Sequence, residues 1–255
     1  MTTRIRLIII SLLIAIAPMI LIGILSFYNL RQLVTSETLG KLEAVATVQE
    51  ARVVEVVEAS VEKVDSFGKN SELFTRLLSF INTGGGEDRL WLDGHLINLS
   101  KDNKEFDKVF ILDSFGTALV STDEKILGSD YSQSNFYLKG KEVSQLFTTK
   151  LLDENGRPIL YISAPIISED RTIGVLVTQY NIEILSAVTK LFATGLGDTG
   201  ETVLAVKDNE ENAVYITSNK FENHPSAKKV IDKNAVSVAI IQALIKNEYV
   251  FTDIF

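Results

Sequence analysis

The 255-residue chain has no cysteine, one tryptophan, two histidines and four prolines. Without cysteine, neither disulfides nor thiolate metal sites can hold it together. The two histidines, His95 and His224, lie far apart and in no metal-ligand spacing. Glycine-rich stretches at 84–86 and 195–200 are not followed by Gly-Lys-Ser/Thr, so neither reads as a phosphate loop. The acidic run 208–212 lacks the glycine and terminal glutamate of a calcium loop and reads as a hairpin turn. No nucleophile, base and carboxylate share a telling spacing. The chain reads as a non-enzyme with no metal and no cofactor. A net charge of −8 argues against nucleic acid as a partner.

What the sequence does have is one long apolar run. Residues 7–28 (LIIISLLIAIAPMILIGILSFY) carry no charge, with Arg4 and Arg6 before them and Arg31 after. At about 1.5 Å per residue the run reaches roughly 33 Å, enough to cross a hydrocarbon core of about 30 Å. Ala15-Ile16-Ala17 resembles a signal-peptide cleavage site. Pro18 would then be the first mature residue, and the run continues past it, so an uncleaved anchor is the favoured reading. Arg4 and Arg6 on the short tail place residues 1–6 in the cytoplasm and residues 29–255 outside the cell membrane.

Beyond the anchor the pattern is helical to about residue 80. Leu42, Ala46, Val53, Val57, Val61, Val64 and Phe67 share one face, while Glu55, Glu58 and Glu62 lie on another. Residues 68–71 break this rod, and Ser71 reads as the N-cap of a helix over 72–81. A further helix is expected over 89–99. The texture then turns to strands: 108–112 and 117–121 around one turn, 145–152 and 158–167 around the next, and 172–180 after a third. A helix over 182–192 closes an α+β arrangement of one antiparallel sheet with helices on one side. A second set begins after residue 193, with strands over 201–207 and 213–217, a helix over 237–246 and a strand from 248. Some 60 residues are too few to close a core, so this module reads as truncated.

The order of parts and several local stretches resemble the double-Cache (PAS-like) sensor domain of bacterial transmembrane receptors, the input module of histidine kinases and chemoreceptors. Leu112-Asp113-Ser114-Phe115-Gly116, Ser121-Thr122-Asp123 and Ile126-Leu127-Gly128 resemble the family's hairpin and exit loop. Asp130-Tyr131-Ser132, Phe136-Tyr137 and Gly140-Lys141 resemble its pocket wall. Ala164-Pro165-Ile166 with Ile173-Gly174-Val175-Leu176 resemble its last two strands, and residues 196–202 the opening of its membrane-proximal module. The resemblance implies a tail (1–6), a transmembrane helix (7–28), a long helix plus membrane-distal module (29–192) and an incomplete proximal module (193–255). It also implies a small-molecule ligand in the distal module, a homodimer, relay through the helix to the membrane, and an output domain of kinase or chemoreceptor type. The alternative is a membrane-tethered binding or adhesion module without signalling.

A sensor pocket needs an apolar floor and a few convergent polar groups. Residues 131–141 and the strand face carrying Tyr161 and Ser163 supply both kinds. The candidate ligand-binding set is Tyr131, Ser134, Phe136, Tyr137, Lys139, Tyr161, Ser163 and Gln179. The family's amino-acid-binding branch carries Arg-x-Trp-Tyr in the pocket wall and an aspartate on the final strand. Here the matching positions read Ser134-x-Phe136-Tyr137 and Gln179, so the resemblance implies a ligand other than a typical free amino acid.

Overall fold

Helix α1, Thr3–Gly68, opens the chain and continues through Pro18. The computed structural model describes residues 3–152, 158–168, 171–191, 202–207, 212–217, 230–232 and 234. The chain divides into two compact units, Met1–Val48 and Gln49–Phe255. In the first, Met19, Leu21, Ile22, Leu25 and Phe27 are exposed apolar side chains. The side chains of residues 7–15 lie outside those described, and among the described residues no helix is long and apolar enough to cross a membrane. The span expected at 7–28 is therefore not shown.

In the second unit, α1 buries Val53, Val57 and Val64 and half-buries Val61 and Phe67, the face its periodicity predicts, with Glu55, Glu58 and Glu62 in solvent. Helix α2, Ser71–Thr83, follows. Its N-cap is Asn70, not the expected Ser71. Asn70 is extended, and its side-chain oxygen accepts from the Glu72 and Leu73 amides at 2.9 and 3.1 Å, whereas Ser71 is already in the first turn. Gly84 ends α2 in the left-handed region (φ 66°), its amide bonding the Phe80 carbonyl. That sharp stop lets helix α3, Gly86–Asp102, begin three residues earlier than the sequence suggests.

The strands are β1 (Phe106–Asp113), β2 (Ala118–Ser121), β3 (Gln145–Leu152), β4 (Pro158–Ser168) and β5 (Arg171–Tyr180). They form one antiparallel sheet in the order β2-β1-β5-β4-β3. Between β2 and β3 lie a 3-10 turn, Glu124–Ile126, and the single-turn helix α4, Asn135–Leu138. Helix α5, Ile182–Leu191, closes the sheet. Strands β6 (Ala205–Lys207), β7 (Ala213–Tyr215) and β8 (Val230–Ile231) form a second, three-stranded antiparallel sheet. Strand β8 was not expected, and the helix at 237–246 and strand at 248–255 lie outside the described residues.

Alternation sends each strand's side chains to two layers. On one face Val109, Ile111, Leu160, Ile162, Ile166 and Leu176 pack with Val57 and Val64 of α1, Leu73 and Leu77 of α2, and Leu92, Leu96 and Leu99 of α3. Thr178 and Tyr180 also lie on this helix-covered face, where the Thr178 hydroxyl donates to the Ile162 carbonyl. Among the described residues no long helix packs on the opposite face.

Candidate ligand site under the strap

The opposite face of the sheet is covered by residues 129–141, a strap that crosses it as irregular chain and one helical turn. Strand register builds the floor. One row across the sheet reads Lys108, Gln179, Tyr161 and Phe147, and the next Phe110, Val177, Ser163 and Gln145. Leu112 and Val175 extend it. Phe136 and Tyr137 of α4 are buried on this floor.

Backbone bonds hold the strap's leading edge to the β1–β2 turn. The Ala118 amide donates to the Ser129 carbonyl (3.0 Å) and the Tyr131 amide to the Gly116 carbonyl (2.8 Å). The Tyr137 hydroxyl donates to the Ser114 carbonyl at 2.6 Å. Gly116 has φ 91°, and a Cβ there would stand 2.6 Å from the Ser132 Cα, so only glycine lets the strap approach. Asp113 accepts from the Phe115 and Thr117 amides, Ser121 from the Asp123 amide, Asp123 from the Lys125 amide, and Asp130 from the Ser132 amide. The Asp, Ser and Gly positions that carried the family resemblance thus build turns that seat the strap.

Six aromatic side chains lie in the layer between strap and sheet, and four of them, Phe110, Tyr131, Phe136 and Tyr161, form one ring cluster. Phe136 lies 4.7 Å from Tyr161 and 5.4 Å from Tyr131, and Phe110 lies 5.6 to 6.4 Å from all three, between centroids. Such edge and tilted contacts suit the ring quadrupoles. Burial, with Tyr131 beside it, pushes the Tyr161 phenol up to about 12. Burial also raises Tyr137, aided by the charges of Asp113 and Asp130.

The candidate residues divide by what they touch. Tyr131, Phe136 and Tyr161 meet in the ring cluster, and Gln179 sits beside Tyr161 in the sheet. Ser163 is fully buried, and its hydroxyl has no hydrogen-bond partner. It faces Gly140, where a Cβ would collide with both that hydroxyl and the Phe136 carbonyl. Ser134 turns its hydroxyl to the Tyr131 carbonyl at 2.7 Å, and Lys139 is exposed. Lys141 lies over the Tyr137 ring, 4.6 Å from its centroid. Sequence reasoning missed the floor residues Phe110, Phe147, Val175 and Val177. It also missed Lys108, which pairs with Asp123 at 2.8 Å and, by that hydrogen bond first, holds the carboxyl below the usual carboxylate range. The ion pair neutralises both charges at the layer's edge. Among the described residues no group of three His, Asp or Glu side chains could hold a metal ion.

No protein-family model matches the sequence, and no curated protein matches it. Solved structures do. The chain is similar to the sensor domain of the Vibrio cholerae histidine kinase DctB, with a TM-score of 0.55 at 14% identity, covering 70% of this chain and 66% of that one. The fold is that of a Cache sensor domain. The extracellular domain of the putative histidine kinase vpHK1S-Z8 gives 0.52 at 17% identity, over 82% of this chain and 75% of that one. The ligand-binding domain of the Pseudomonas aeruginosa PAO1 amino acid chemoreceptor PctC, in complex with GABA, gives 0.51 at 15%, over 75% and 82%. The chain thus spans just under two thirds of the DctB sensor domain's length. These neighbours are, by their descriptions, a sensor domain, an extracellular domain and a ligand-binding domain, and what they share with this chain is the fold.

Proposed function

We propose that this chain is the ligand-sensing part of a transmembrane signal-transduction receptor. A small molecule enters the layer between strap and sheet, and α1 carries the change to a membrane crossed by residues 7–28. The apolar run and its flanking arginines support the anchor, with residues 1–6 inside and 29–255 outside the cytoplasm. Residues 29–192 would form the distal module and 193–255 part of a proximal one, in a homodimer with its output domain elsewhere in the receptor.

The observation that carries this reading is Ser163. A buried hydroxyl without a partner costs about 1–3 kcal/mol, and a ligand atom accepting or donating there would recover it. Tyr161, Gln179 and the rings of Tyr131 and Phe136 surround the same layer and would make room by rotating or lifting with the strap.

The expectation against a free amino acid is withdrawn. A neighbour of the same fold was solved with GABA, and the lack of an arginine–aspartate clamp does not exclude a zwitterion. Neutral donors and acceptors such as a serine hydroxyl, a glutamine amide and backbone groups can hold both ends of one. The ligand class is therefore a small molecule, with amino acids and their relatives inside it.

A thermal-shift screen of the full chain in lipid nanodiscs, with amino acids, GABA, small carboxylates and neutral molecules, tests the reading. At least one compound should stabilise saturably, and Ser163→Ala or Tyr161→Phe should weaken it about tenfold, the value of one to two hydrogen bonds. A screen with no saturable hit, or a hit indifferent to both substitutions, sinks it.

A further inference from the structure

Beside the packing of Phe67 on His95, two contacts of different kinds tie the C-terminal turn of α1 to the sheet side. Gly68 rests on β4, where an added Cβ would stand 2.7 Å from the Pro165 carbonyl. One turn earlier, Asp65 divides its carboxylate between two donors: Lys69 Nζ on one oxygen and the Ser144 hydroxyl on the other, each at 2.6 Å. Ser144 lies three residues beyond the strap and immediately before β3. The strap is thus fastened at its leading edge to the β1–β2 turn and at its trailing edge to α1.

We propose that the Ser144–Asp65 hydrogen bond is the latch through which the strap acts on α1. The proposal rests on the ligand-sensing reading above and names its transmission contact. The seat on β4 belongs to a sheet whose ladders fix it. The strap has only a few turn and edge bonds, so it is the element a ligand displaces at least cost. Displacing it moves Ser144, and Ser144 holds the carboxylate of a residue on α1's last turn. Burial alone would raise the Asp65 carboxyl, but the hydrogen bonds from Lys69 and Ser144 and the Lys69 charge outweigh it and hold it below the usual carboxylate range. The acceptor is charged whenever the receptor works near neutral pH. A bond from a hydroxyl to a charged oxygen is among the stronger and more directional side-chain contacts, which suits a latch better than apolar packing that slides.

The test needs no ligand, because a substitution serves as the probe. Gly140→Ala drives a Cβ into the Ser163 hydroxyl of β4 and into the strap's own Phe136 carbonyl, so the strap must shift. Hydrogen exchange of the full chain in nanodiscs is read at the amides of residues 60–68. Gly140→Ala should speed exchange there about tenfold when Ser144 is present, within the usual range of coupling between sites. In a Ser144→Ala or Asp65→Asn background the same substitution should change it little, and Ser144→Thr, which keeps the hydroxyl, should restore the response. A role confined to stability would shift every background alike, leaving the Gly140→Ala response intact. That result overturns the latch, as does an unresponsive α1 when Ser144 is present. If Gly140→Ala does not fold, Tyr137→Phe frees the strap from Ser114 and is read in the same way. Failure of the latch leaves ligand binding at Ser163 untouched, and failure of the ligand screen leaves this measurement unaffected.

Discussion

The two faces of the five-stranded sheet are covered in opposite ways. On one, three helices bury a mostly aliphatic layer: valine, leucine and isoleucine from α1, α2, α3 and the strands. On the other, strap and sheet enclose six aromatic side chains and the orphaned Ser163 hydroxyl. Aliphatic side chains interlock without directional demands and gain by exclusion of water alone. Rings can rotate in place, and an unmade hydrogen bond is a standing cost that a ligand can remove. The helix-covered face has unpartnered buried atoms of its own, the Tyr180 hydroxyl and His95 Nε2, so what sets the strap-covered face apart is its aromatic lining and its lighter cover.

The sharpest break of that contrast is a truncation on the helix side. Leu96 of α3 is 1% exposed within the layer shared by helices and sheet. Leu96→Ala should lower the unfolding free energy by about 3 kcal/mol, within the usual range for buried leucines. Urea denaturation measures it, and a loss under about 1 kcal/mol would mean this face is not the tightly packed one. The matching change on the strap side should have the opposite sign. Ser163→Ala removes a buried group that has no partner, so stability should rise by about 1–2 kcal/mol while ligand affinity falls. A stability loss there would show that the hydroxyl is already satisfied.

The helix side also depends on how its helices begin. Asn70→Ala removes the acceptor for the Glu72 and Leu73 amides and should cost about 1 kcal/mol. Ser71→Ala should cost clearly less, because Ser71 lies inside the first turn. Equal losses by chemical denaturation would restore Ser71 as the cap.

That pair of residues also shows how far the sequence could be read. The period of α1, the β1–β2 turn and all five strands were legible, because 3.6-fold and twofold repeats leave a mark on every residue of an element. Asn70 and Ser71 are both good caps one position apart, and only the backbone of the residue decides between them. In the layer under the strap, the polar and aromatic members Tyr131, Phe136, Tyr161 and Ser163 were legible as candidates, because such residues are conspicuous beside apolar runs. Its floor was not. Residues 109–112 and 175–177 are apolar on both faces, so nothing in their alternation says which side Phe110 or Val177 takes. The ion pair of Lys108 with Asp123 joins residues fifteen apart across a hairpin and leaves no local trace. The link of Ser144 to Asp65 spans 79 positions and depends on tertiary packing alone.

Titration should separate the two faces with the smallest and most specific effects. On the helix side, His95 stacks on Trp91 at 4.6 Å and meets Phe67 edge-on at 5.7 Å. Burial pushes its imidazole below the ordinary 6.5, opposed by the charge of Glu72. The folded state therefore resists a proton that the unfolded chain accepts. Its contribution to stability is full above about pH 6.5 and is lost as pH falls through the window below it. On the strap side, Tyr161 keeps its proton to about 12. An unfolded tyrosine ionises near 10, so the folded state is favoured below about pH 10 and loses that advantage as pH rises toward 12. His95 should thus contribute to the acid fall of the unfolding free energy, beside the depressed carboxyls of Asp65, Asp88 and Asp123, and Tyr161 to the alkaline fall, beside the buried Tyr180 of the helix side. His95→Gln should flatten part of the acid fall and leave the alkaline one, and Tyr161→Phe should do the reverse. If either substitution flattened both ends, the two faces would not be energetically separate layers, and a ligand entering beneath the strap would strain the helix core directly.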